Sequence, residues 1–139
     1  MICVHFIMKM VTKLLSLLIS VTVLSAWTIR FKMSSIFRGG GAENMVEEFE
    51  LYGLDSSIMI IVGITKVILS ILLLLGAFKF QSLLKPSAGM MAIFMIGAVY
   101  FHFNAGDGLV PTIPSASMLI SCLLILFLKS NPTVNSTSN

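Results

Sequence analysis

The chain has 139 residues, of which 57% are hydrophobic and 11% charged, with a formal net charge of +3 and a mean hydropathy of +1.01. A soluble fold of this length buries only about two thirds of its surface, so this much apolar surface does not fit inside its own core. No basic stripe with interleaved aromatics accompanies the charge excess, so nucleic acid is not indicated as a partner and the lipid bilayer is.

Four apolar runs, near 11–29, 57–78, 87–104 and 112–128, approach the roughly 20 residues that cross a hydrocarbon layer of about 30 Å as a helix. They predict an all-α fold. It is a four-transmembrane-helix bundle with a short amphipathic helix in the first outer loop, one membrane domain over 1–139 with a polar tail at 130–139. In the first run, Lys9 and Lys13 precede Leu14 to Leu24 and then Ser25-Ala26, the layout of a secretory signal peptide. Retention as a span is favoured, because apolar character continues through Trp27 and Ile29 and Leu24 suits a cleavage site poorly.

The loop 30–56 carries Gly39-Gly40-Gly41, then Met45, Val46, Phe49 and Leu51-Tyr52 interleaved with Glu43, Glu47, Glu48 and Glu50. That spacing predicts a short amphipathic helix over Glu43 to Leu54, a lid on the helix ends or the membrane surface. A phosphate role for the three glycines fails on context, since no strand precedes them and acidic residues follow.

In the second run Lys66 stands amid lipid-compatible residues, and a mid-span Lys costs about 2.5 to 3.5 kcal/mol on insertion scales. It either marks a ligand or proton site or snorkels to water or a carbonyl. Gly63, Lys66, Ser70, Leu73 and Ala77 recur at three- and four-residue spacing along one face, where a neighbouring helix can come close. The third run adds Gly89, Gly97 and Ala98 as small packing residues and places His102 on a face with Val99, Met95, Ala92 and Ala88. His102 falls about one turn below the outer surface, near Asp107, where an imidazole can pass protons or serve as an interfacial anchor beside Tyr100. Lys66, Tyr100, His102 and Asp107 are thus the candidates for one polar pocket opening outward.

The fourth run starts at Pro111 and Pro114, residues tolerated in a helix's first turn, and ends at Lys129. Ser115-Ala116-Ser117 offers only helix-start chemistry, and Asn135-Ser136-Thr137 in the tail matches a glycosylation acceptor. Basic residues number five on the side of the termini (Lys9, Lys13, Lys79, Lys85, Lys129) against three opposite (Arg30, Lys32, Arg38). The expectation is a cell-membrane protein with both termini cytoplasmic. Cys3 and Cys122 form no C-x-x-C pair, and His5 and His102 lie too far apart in the chain for a metal or haem site, so no cofactor is expected.

Gly63-Ile64-Thr65-Lys66-Val67, Leu84-Lys85 leading into Ala88-Gly89-Met90, Gly97-Ala98-Val99-Tyr100-Phe101-His102 and Ala105-Gly106-Asp107 resemble the DoxX-like family of small four-helix membrane proteins, over about residues 28–128. The resemblance implies a non-catalytic subunit or accessory factor of a membrane redox system, with other redox subunits or a second copy as partners. The alternative it leaves open is an oxidoreductase or carrier that binds a quinone-like or small polar ligand near Lys66 and His102. Many relatives carry Glu where this chain has Lys66, so no intramembrane carboxylate is carried over.

Overall fold

The computed structural model describes residues 2–128, so Lys129, the polar tail and the Asn135-Ser136-Thr137 acceptor lie outside the described residues. Within them the chain runs α1 (Ile2–Trp27), α2 (Met45–Leu51), α3 (Ser56–Phe78), α4 (Leu84–Asn104) and α5 (Leu109–Phe127). Single 3-10 turns lie at Gly39–Gly41 and Gln81–Leu83, and no strand occurs among the described residues. All but α2 are long and apolar enough to cross a membrane, at 26, 23, 21 and 19 residues. At about 1.5 Å rise per residue they reach from roughly 28 to 39 Å, a match for a bilayer.

The boundaries depart from the hydropathy reading where a helix ignores a charge. α1 begins at Ile2 rather than near 11 and stops at Trp27, because Lys9 and Lys13 interrupt apolarity without interrupting the backbone hydrogen bonds. α5 begins at Leu109, so only Pro111 occupies the first turn; Pro114 lies inside the helix.

Around the bundle α1 touches α3, α3 touches α4, α4 touches α5, and α5 returns to α1. One end holds the C-terminus of α1, the start of α3, the end of α4, the start of α5 and the capping α2; the termini-bearing end holds the rest. Ile19, Val23, Leu69, Leu73, Met91, Met95, Cys122 and Ile125 form the core between the helices. Ile61, Ile68, Ile93 and Ile120 instead lie half or more exposed on the outside, an arrangement tolerable against acyl chains and not against water.

Small residues set the spacing. Ser20 Oγ donates to the Ser70 carbonyl across α1 and α3 at 2.9 Å. A Cβ at Gly63 would collide with the Trp27 indole, and one at Gly76 would meet the Leu84 backbone nitrogen at 2.6 Å. These are the close approaches that small residues permit between membrane helices.

Candidate functional site

The end of the bundle that holds the start of α3 is closed by α2, seven residues long and too short to persist alone. Its ends explain its presence. The Asn44 side chain accepts from the Glu47 N–H at 3.1 Å and donates from Nδ2 to Glu47 Oε1 at 2.8 Å, while Glu47 Oε2 accepts from the Glu43 N–H at 2.9 Å. This reciprocal cap satisfies otherwise orphaned donors. Met45 N–H donates to the Phe31 carbonyl at 3.0 Å, and Phe49 meets Trp27 edge-on at 5.9 Å, which seats α2 over the bundle.

Two carboxylates then organise the loop. Glu48 pairs with Arg38 at 2.9 Å, both side chains buried, and accepts from the Gly39 N–H at 2.7 Å. Arg38 also donates to the carbonyls of Met33, Arg30 and Phe31. Asp107 accepts from the Gly40 N–H at 2.6 Å and from the Tyr52 hydroxyl at 2.7 Å, and its Oδ2 lies 2.8 Å from His102 Nδ1. Glycine is required at Gly39, where a Cβ would collide with the Tyr52 hydroxyl and Asp107, and at Gly40, whose φ is +60°. The Gly39 and Gly40 amides thus serve carboxylates of their own chain rather than a bound phosphate.

Burial, then the hydrogen bond to Asp107 and the nearby Glu48 charge, push the Tyr52 phenol well above its usual range, so it remains a donor. Burial alone would raise Asp107, but hydrogen bonds from Tyr52, His102 and Gly40 and the His102 charge outweigh it and hold the carboxyl below its usual range. An ionised carboxylate only accepts. That assigns the proton to Nδ1 of His102 and leaves its Nε2 without a partner among the described residues.

Beneath the loop lies a cavity of about 290 Å³ in the half of the bundle nearer α2, bounded by all four long helices and α2. Its walls are mostly apolar, with Trp27, Phe49, Phe94 and Met118 among them, and Lys66, His102, Arg30, Arg38 and Glu48 supply its polar points. Lys66 makes no side-chain hydrogen bond or ion pair among the described residues; Glu48 is the carboxylate whose charge reaches it.

Lys66 and His102 therefore share a cavity, with Asp107 behind the histidine as its orienting group. Tyr100 does not join them: it is 61% exposed, because two residues from His102 is about 200° around a helix. Its place is taken by Tyr52, which stacks on Phe101 at 5.9 Å and meets His102 edge-on at 5.6 Å. Of the small residues, Gly63 underlies Trp27 and Gly89 faces Leu126, whereas Gly97 and Ala98 line the cavity. Glu48 and Tyr52 escaped sequence reasoning as site residues although their four-residue spacing puts the Tyr52 cap on the same side as Glu48 of α2; nothing in the sequence marked Arg38 as the partner of Glu48.

A model of the DoxX-like family matches residues 21–127. No curated protein matches the chain, and no solved structure does.

Proposed function

The chain belongs to the DoxX-like family and is a multi-pass integral membrane protein; from that premise we propose that it is a membrane-embedded binding protein. Its cavity takes a small amphipathic molecule, with Lys66 and His102 addressing the polar head and the aromatic wall holding the body. The single observation that carries this is the Lys66 amino group, without a hydrogen-bond or ion-pair partner among the described residues, on the wall of an otherwise largely apolar cavity. A charge left unmatched at mid-membrane is costly unless occupancy offsets it, and pockets of this kind combine apolar walls with a few convergent polar groups. His102 Nε2 supplies a second hydrogen-bonding point for the ligand head.

The accessory-subunit role implied by the resemblance has less support. Gly63, Ser70 and Gly89 engage Trp27, Ser20 and Leu126 within the chain, which leaves them no small-residue surface for docking a partner. For orientation, both termini cytoplasmic in the cell membrane is the proposal. Arg38 is tied up in its buried pair, so the count becomes Lys9, Lys13, Lys79, Lys85 and Lys129, five, against Arg30 and Lys32, two.

Trp27 is the sole tryptophan and lines the cavity, so its fluorescence reports occupancy. Protein in lipid nanodiscs, titrated with a benzoquinone and with brominated alkyl amphiphiles, is expected to show saturable quenching by at least one of them. Linear, unsaturable quenching by all of them would sink the proposal.

A further inference from the structure

We infer that the ligand is a small monocarboxylate amphiphile, bound with its carboxylate on Lys66 and admitted sideways from the bilayer between α3 and α4. This rests on the ligand-binding reading above. The charge inventory of the cavity points to an anion. Arg38 and Glu48 neutralise each other, and Arg30 donates to the Ser35 hydroxyl at 2.7 Å, with no carboxylate partner among the described residues. Lys66 has no partner among them at all. The cavity therefore presents unmatched positive charge and no unmatched carboxylate. A single carboxylate converts the lone ammonium into a hydrogen-bonded pair, whereas a neutral head leaves it unpaired in a low-dielectric setting. The apolar walls reject a densely charged phosphate and favour a monoanion with a hydrocarbon or aromatic body.

Size narrows the class. A cavity of about 290 Å³ falls at the lower end of the roughly 300–1,000 Å³ range of ligand pockets, which suits a small ligand such as octanoate or a small aromatic acid. The route is indicated by residues that face two ways. Ile93 of α4 lines the cavity and is 62% exposed, Val62 of α3 lines it too, and a Cβ at Gly97 would meet nothing within 4 Å. Backbone contact between Gly76 and Leu84 holds α3 against the start of α4 at the far end, while Gly97 leaves space at the level of the cavity.

The test uses the full chain in zwitterionic nanodiscs and Trp27 quenching by terminally brominated octanoate and the matching bromo-alcohol. The wild type is expected to bind the acid at least about tenfold more tightly than the alcohol. Lys66→Arg retains that ratio, Lys66→Met reduces it to about one, and Gly97→Leu, which fills open space, suppresses quenching by both probes. Equal affinity of acid and alcohol in the wild type overturns the carboxylate assignment while leaving the binding function standing. An unchanged ratio in Lys66→Met overturns the role of Lys66. Identical quenching in wild type and Gly97→Leu means that the probes only partition into lipid, which overturns both this inference and the reading beneath it.

Discussion

Asp107 receives three donors from three parts of the chain, Gly40, Tyr52 and His102, and that convergence holds its carboxyl low. Because the folded value lies below the unfolded one, about 3.9, the carboxylate contributes stability that is present above that pH and is lost as pH falls through the folded value. Thermal unfolding in detergent from pH 6 downward is expected to show an acid-side loss below about pH 4 that Asp107→Asn flattens. Glu48 differs in kind, since its removal leaves a buried guanidinium behind. Glu48→Gln is expected to lower stability by about 3 kcal/mol, with Arg38→Met added to Glu48→Leu recovering part of it; the same unfolding measurement checks both. At this scale the sequence was readable only where a residue was anomalous for its surroundings. Lys66 and His102 stand out in apolar runs, whereas Glu48 was one of four glutamates in a loop and only tertiary contact distinguishes it.

For whole elements, hydropathy carried most of the information because the bilayer imposes a fixed length on each span. It located α3 to within a residue of each end, yet began α1 nine residues late, since basic residues at a membrane surface break an apolar window without breaking a helix. The amphipathic pattern found α2, although its ordered helix is seven residues rather than the longer stretch expected. Close approach between elements was less legible. Gly63 belonged to a visible stripe of small residues, while Gly76, which abuts the Leu84 backbone, has no partner that periodicity alone reveals. Backbone cannot yield as a side-chain tip does, so Gly76→Ala is expected to cost about 1 to 3 kcal/mol. Gly97→Ala, with open space around it, is expected to be neutral or stabilising by up to about 1 kcal/mol; thermal midpoints of the two variants in the same detergent check the contrast.

Across the molecule, the closed ring of four helices follows from short connections at Lys79–Leu83 and Ala105–Gly108 and the longer loop that carries α2. Ring order was not legible from four interchangeable apolar runs; it depends on which small residues admit which neighbour. Sidedness is open to labelling, because Glu43 and Ser82 are exposed at opposite ends of the bundle. In a background with Cys3 and Cys122 replaced by serine, Glu43→Cys is expected to react with an impermeant maleimide on intact cells and Ser82→Cys only after permeabilisation. The reverse pattern would invert the proposed topology.

The Gly40 amide reaches across 67 positions of sequence to find its acceptor on Asp107. During synthesis that acceptor does not exist until the third long helix has emerged, so the glycine turn stays unlatched on a partly made chain. Latching therefore follows the emergence of α4 and can precede that of α5. A nascent polypeptide arrested before Asp107 should be nicked by protease near Gly39–Gly41, and the finished protein should resist.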